Sequence, residues 1–315
     1  MSLTRFVQEK LGPRSHARIA PTTGGRLLVM ALLASAGVIA VSGPAADAAP
    51  AATVPTCQTV IEGVLPNGGV VKRYVTNTRI TDEAHSAPLG FPVDSMLQPL
   101  QGTRTGTSVA DPAEAFASGK RTVGFTIHRT DGSKLLTISS VSHYLNGIPA
   151  RLITSSLNNY RYGVDRTGNL MRWTWYVDTS SGKLYFGSPT LVAAHMGSLR
   201  TLTFDYGWQD SGGVVRDILY GTTSTGALKQ IQIPLKKPGK PTITTLARSG
   251  FASYTGVSAS FCNRAGTIAS LIYIDKVHNV ARWYTFARQY HPAPAGLVER
   301  RPVAPGANWR LHATF

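Results

Sequence analysis

Five tryptophans stand in the chain, at Trp173, Trp175, Trp208, Trp283 and Trp309, and two of them share a local pattern. Trp173 and Trp283 each close the motif Asn-x-x-Arg-Trp, written by Asn169, Arg172 and Trp173 and again by Asn279, Arg282 and Trp283. An indole offers a flat apolar face for a sugar ring and an N–H that can donate to a hydroxyl. An amide donates and accepts, which suits hydroxyls and N-acetyl groups, and a guanidinium grips carboxylate or phosphate at two points. Asn308 immediately before Trp309 repeats the amide–indole pairing. Trp173, Trp208, Trp283, Trp309, Asn169, Asn279, Asn308, Arg172 and Arg282 therefore form a candidate carbohydrate-binding set. Each also has a structural reading. Repeated aromatics pack between repeats, Asn tolerates tight turns, and Arg covers solvated strand faces. Trp208, in the polar stretch 205–213, and Trp309, in a turn, are expected to be more exposed than the Trp173 and Trp283 pair.

Catalysis finds little support. The chain has no Gly-x-Ser-x-Gly elbow, no His-Glu-x-x-His, no phosphate loop and no array of calcium-loop aspartates. Asp165, Asp205, Asp217 and Asp275 fall near strand ends or loops, where a carboxylate pair could serve an extracellular polysaccharide hydrolase or lyase, yet each has a simpler turn or surface role. His85, His128, His143, His195, His278, His291 and His312 lack ligand spacing, so no metal and no other cofactor is expected.

The elements that must carry these residues are hairpins. Tyr162 to Trp175, YGVDRTGNLMRWTW, is echoed by YIDKVHNVARWY from Tyr273 and by YGTTSTGALKQIQI from Tyr220. Each reads as a short strand, a tight turn and a second alternating strand. The stretch 57–75, with its Pro66-Asn67-Gly68-Gly69 turn, and Val123 to Ile138, turning at Thr130-Asp131-Gly132, give two further copies. Three intervening stretches, Thr190–Phe204, Thr242–Phe261 and Leu297–Phe315, each run apolar strand, Gly-containing turn, apolar strand ending in Phe. Between Thr76 and Lys120 the prolines Pro88, Pro92, Pro99 and Pro112 indicate mostly loop, with one short helix over Pro112–Phe116 capped by Asp111. Strands, Gly turns and a period near 50 residues predict an all-β fold, a β-propeller of five antiparallel four-stranded blades occupying residues 57–315 as a single domain.

In these hairpins the chain resembles the tachylectin-2-like lectins. Leu219-Tyr220-Gly221 with Gly226 and Leu228 fits the family's first signature, as does Tyr162-Gly163 with Gly168, Leu170 and Trp173. Gly250-Phe251 and Asn308-Trp309 stand where its second signature falls. The resemblance is visible over residues 160–315 and holds only by pattern from 57 to 160. It implies a five-bladed propeller that binds N-acetylated sugars at equivalent inter-blade sites without catalysis. Three of the five repeats lack the Trp, which puts some sites in doubt.

The first 48 residues have a different character. Arg5, Lys10, Arg14, Arg18 and Arg26 precede an apolar or small run from Leu27 to Val41, followed by Ala46-Asp47-Ala48. This reads as a signal peptide cleaved after Ala48, with 49–56 a flexible lead-in, and the product is expected to be secreted by the general route with no membrane segment in its mature form. The long basic leader suggests an actinobacterial source. Five of the 32 basic and two of the 16 acidic residues lie in that leader, so the mature chain stays strongly basic. Glycans or anionic cell-wall polymers are the partners this charge favours, rather than nucleic acid. A basic scaffold that merely adheres to the wall is an alternative. The mature chain is expected to be monomeric. Cys57 and Cys262 are the only cysteines, and export predicts a single disulfide between them.

Overall fold

The computed structural model describes residues 56–97, 103–117, 121–143, 146–156, 158–181, 183–262, 268–287, 297–311 and 313–314. The expected leader, its cleavage site and all of the lead-in but Thr56 lie outside these residues. The described chain is all-β. Blade 1 uses β1 (Gln58–Val64), β2 (Gly69–Thr76) and β3 (Arg79–Pro88). Blade 2 uses β4 (Val93–Leu97), β5 (Thr103–Thr105), β6 (Ser108–Ala117), β7 (Arg121–Thr130) and β8 (Thr137–His143). Blade 3 is built from β9 (Ala150–Ser155), β10 (Tyr160–Asp165), β11 (Leu170–Val177), β12 (Leu184–Phe186) and β13 (Thr190–Ala193). Blade 4 has β14 (Thr203–Gln209), β15 (Val215–Thr222), β16 (Leu228–Pro234) and β17 (Thr242–Ala247), and blade 5 has β18 (Gly256–Phe261), β19 (Ile268–Asp275), β20 (Val280–Ala287) and β21 (Val298–Val303). The last strand, β22 (Ala313–Thr314), returns to pair with β1, so that sheet 1 runs β22-β1-β2-β3. All pairings within the five sheets are antiparallel.

The first strand of every sheet touches the first strand of its neighbours, in the cycle β22, β4, β9, β14, β18 and back to β22. That cycle is a five-bladed propeller, as the repeat period predicts. The hairpin turns are where the sequence placed them: Gly68, Gly168 and Gly226 hold φ of 84°, 84° and 88°, and Asn279 takes the same left-handed region at 58°. Glycine and, less readily, asparagine accept that backbone without a Cβ clash. The glycine of each Tyr-Gly pair has a different cause. A Cβ on Gly163 would stand 2.7 Å from the Leu152 carbonyl, and one on Gly221 2.7 Å from that of Thr201, so neighbouring strands close only over a bare backbone.

The middle strands do not alternate in burial as a one-sided sheet would. Seven of the eight residues of β19 are buried, because both faces of a blade are covered by the blades beside it. The core is accordingly divided among seams. One cluster joins Ile218, Tyr220 and Leu228 to Val257, Leu271 and Tyr273, while another joins Tyr162, Val164 and Leu170 to Leu219, Ile231 and Ile233. The predicted disulfide is present between Cys57 and Cys262 and ties blade 1 to blade 5.

Blade 2 corrects two expectations. The segment read as a short helix over Pro112–Phe116, capped by Asp111, is part of strand β6, and the region 76–120 read as loop supplies β3 to β6. Proline is tolerated there because β6 changes partner on one edge: β5 pairs with Ser108–Ala110 and β4 with Glu114–Ala117, leaving the intervening residues outside either ladder. Gly132 does not mark the hairpin equivalent to the others. It lies in the β7–β8 connection, whereas the equivalent connection joins β6 to β7 across Ser118-Gly119-Lys120, which lies outside the described residues.

Candidate functional site

Strand β11, LMRWTWYV, sends Arg172, Thr174 and Tyr176 to one face and Met171, Trp173 and Trp175 to the other, because side chains alternate along a strand. Directly paired residues share a face. Tyr162 pairs with Arg172, Tyr160 with Thr174 and Tyr185 with Tyr176, so one face of blade 3 carries four tyrosines and a guanidinium in a row. The Arg172 guanidinium sits 4.2 Å from the centroid of the Tyr160 ring, a cation–π distance. Tyr176 and Tyr185 stack with centroids 5.3 Å apart and planes 25° from parallel.

The row runs from interior to solvent. Tyr162 is fully buried, Tyr160, Arg172 and Tyr185 are half-buried, and Tyr176 is 45% exposed. At its buried end the Tyr162 hydroxyl donates to Asp217 Oδ2 of blade 4 at 2.8 Å. Ser156 Oγ donates to the same oxygen at 2.7 Å and Asn158 Nδ2 to Oδ1 at 2.8 Å. Burial pushes the Asp217 carboxyl above its ordinary value, against the three hydrogen bonds and the nearby Arg172 charge, which favour the anion. The Tyr162 hydroxyl is driven far upward, first by burial and then by the Asp217 charge, so it acts only as a neutral donor. Arg172 Nη1 crosses to blade 4 and donates to the Leu235 carbonyl at 2.8 Å. At the open end Gly187 is required. A Cβ there would stand 2.8 Å from Cε2 of Tyr176 and displace the ring. Asn158 is exposed, and its Oδ1 accepts no hydrogen bond from the described residues. A ring face, a free amide oxygen and a backing cation are the groups that orient a saccharide.

The residues singled out from sequence divide among three places. Trp283, Trp309, Asn279 and Asn308 meet where blade 5 closes on blade 1. Trp283 is buried and donates from Nε1 to Ser270 Oγ at 2.9 Å. Trp309 is buried beneath the Arg73 guanidinium, 4.7 Å from the ring, and not exposed as a turn position suggested. Asn279 Oδ1 accepts from the Trp309 backbone N–H at 2.7 Å, and the Asn308 carbonyl accepts from Arg73 Nη1 at 2.7 Å, with the Asn308 side chain outside. Trp173 is buried with Ile148, Ile153 and Phe186 on the face of β11 opposite Arg172. Asn169 sits in its hairpin turn and donates to Thr167 Oγ1. Trp208 is half-buried against the cluster between blades 4 and 5, and Arg282 is half-buried opposite Tyr273. The sequence motifs do not mark Tyr160, Tyr176, Tyr185 or Asn158. Of these only Tyr176 lies on β11, where alternation with Arg172 and Thr174 is its signal, and Tyr160 and Tyr185 join its face through strand pairing.

Several other carboxylates are engaged away from this face. Asp82 binds Arg129 and Lys134, Glu83 binds Arg73 and His85, Asp210 binds Arg216, and Asp275 binds His278. Asp165 holds its own turn through Thr167 and Asn169. Among the described residues no group of three His, Cys, Asp or Glu side chains is placed to hold a metal ion.

No protein-family model and no curated protein matches the sequence. Solved structures that resemble the chain include the SapL1 lectin in complex with alpha methyl fucoside, at 10% identity and a TM-score of 0.38 over 78% of this chain and 80% of that one. The fucose-specific lectin from Aleuria aurantia matches at 11% identity and a TM-score of 0.43, over 79% and 75%. A mutant of AofleA from Arthrobotrys oligospora matches at 13% identity and a TM-score of 0.42, over 79% and 74%.

Proposed function

We propose that this chain is an exported, non-catalytic carbohydrate-binding propeller of the tachylectin-2-like kind, and that the tyrosine face of blade 3 is one of its sugar sites. The observation that carries this reading is Tyr176, nearly half exposed, stacked on Tyr185 and continuous through Thr174 with Tyr160 and Arg172. A pyranose would lie on the Tyr176 ring and present a hydroxyl or N-acetyl N–H to Asn158 Oδ1. N-acetylated glycans of a cell wall are the ligands proposed, bound weakly and gaining strength where one polymer reaches more than one blade. Calorimetry against chitooligosaccharides, together with a glycan array, tests the proposal. Tyr176→Ala with Tyr185→Ala should weaken binding by about tenfold or more. No sugar bound above background by the unaltered protein would overturn it.

A simple adhesive role is the second reading, favoured by the 27 basic against 14 acidic residues that follow the leader (32 less five, 16 less two). It differs in outcome, because adhesion of that kind is released by moderate salt and is indifferent to free sugar.

A further inference from the structure

At the seam where blade 5 meets blade 1, a groove of about 550 Å³ opens between the end of β21 and the start of β3. Arg79 and Ile80 line it from blade 1, and Arg301, Pro302 and Pro305 from blade 5. Both arginines are exposed, and neither forms an ion pair with any described residue. Other basic side chains do meet carboxylates: Arg73 meets Glu83, Arg129 meets Asp82 and Lys72 meets Glu62. This groove therefore pairs an apolar floor with two uncompensated guanidinium groups.

Its walls are fixed. The Ala304 N–H donates to the Thr78 carbonyl at 2.8 Å across the seam. Asn77, just before Thr78 in the chain, donates from its backbone to the Cys57 carbonyl at 2.8 Å and accepts from Cys57 N at 2.7 Å, and Cys57 is disulfide-bonded to Cys262. Ala304 and Asn77 both hold positive φ, 38° and 53°. For alanine that backbone is unfavourable, and residues so held concentrate at ligand clamps. A second groove, of about 440 Å³, lies at the corresponding end of β17 in blade 4 and again carries two cations, Lys229 and Arg248.

We infer that the groove between blades 5 and 1 is an anion-selective saccharide site, which takes a sugar chain bearing one carboxylate or phosphodiester per unit. Arg79 and Arg301 bind the anionic group, and Ile80, Pro302 and Pro305 support the apolar face of the adjoining ring. This site shares no residue with the tyrosine face of blade 3, so the two readings stand or fall separately.

The experiment is calorimetry at fixed ionic strength with two probes, an oligogalacturonate and a phosphodiester-linked oligo(glucose 1-phosphate), which separate carboxylate from phosphodiester recognition. Arg79→Ala with Arg301→Ala should weaken the better probe by about 10- to 100-fold. Lys236→Ala with Lys237→Ala removes the same charge from an exposed loop of blade 4 and should change affinity by less than about threefold, with both variants melting like the parent. Tyr176→Ala should leave this binding intact while weakening that of neutral chitooligosaccharide. Equal losses for the two charge-deleting pairs would overturn the proposal, because the attraction would then be non-specific. Failure of the parent to bind either probe would also overturn it, as would equally tight, Arg79-dependent binding of duplex DNA.

Discussion

Truncating Asp217 to alanine tests the seam between blades 3 and 4 most directly. Asp217 accepts from Ser156, Asn158 and Tyr162 at 2.7, 2.8 and 2.8 Å. Ser156 is 1% and Tyr162 0% exposed, so neither hydroxyl can recover a water partner, and each orphaned donor costs about 1–3 kcal/mol. Asn158 is exposed and recovers through solvent. Loss of a carboxylate whose burial already opposes its charge offsets part of this. Asp217→Ala should therefore cost about 2–5 kcal/mol, and Asp217→Asn, which keeps the shape and one acceptor, about 1–2 kcal/mol. The pH dependence has a definite sign. The folded carboxyl titrates above its ordinary 3.8, so its stabilisation is complete below that value and is lost as pH rises through the folded value. Asparagine does not titrate. The cost of Asp217→Asn should thus be greater at pH 3.5 than at pH 7. Urea unfolding followed by tryptophan fluorescence at both pH values measures each quantity. An alanine variant within about 0.5 kcal/mol of the parent, or an asparagine cost that grows with pH, would refute the reasoning.

Cys57 and Cys262 are 205 residues apart, so replacing both by serine should lower stability by about 5 kcal/mol in the chain-entropy account, read as a lower denaturation midpoint than that of the oxidised parent. Asp82 has its carboxyl lowered to about 2, first by the hydrogen bond from Lys134 and then by that from Arg129. Its stabilisation is present above 3.8 and disappears as pH falls through about 2, so Asp82→Asn should flatten the acid limb of a melting-temperature titration between those values. Gly187→Ala should displace the Tyr176 ring, which its Cβ would meet at 2.8 Å, and should reduce chitooligosaccharide affinity several-fold with little change in melting temperature.

The architecture was legible because its turns are chemically marked. Gly68, Gly168 and Gly226 stand at backbone angles that other residues resist, and Asn279 substitutes where glycine is missing. Blade 2 was misread for the same reason. Gly132 also has positive φ, at 76°, and a turn glycine does not say which pair of strands it joins. Pro112 was read as a helix start because Asp-Pro-Ala-Glu is a good local helix signal, and only the break between the β4 and β5 ladders, a non-local fact, makes it acceptable in a strand. The site was less legible. Rarity draws attention to tryptophan, but Trp173, Trp283 and Trp309 are the largest apolar surfaces available and fill the interior, while Tyr176 presents an exposed ring. Arg172 was identified by its motif. Its partner Tyr160 was not, because their contact depends on the register between β10 and β11.

Strand β22 adds a consequence for assembly. Among the described strands, sheet 1 alone is drawn from both ends of the chain, with Gly63 paired to Thr314 and Val64 to Ala313. Until those last residues are available, the inner edge of β1 offers unsatisfied N–H and C=O groups to any strand that arrives. A chain shortened beyond Leu311 would keep that edge open to pairing with another strand. The blade that holds β1 is completed only when Ala313 and Thr314 pair with it, so protection of that edge rests on two residues about 250 positions away.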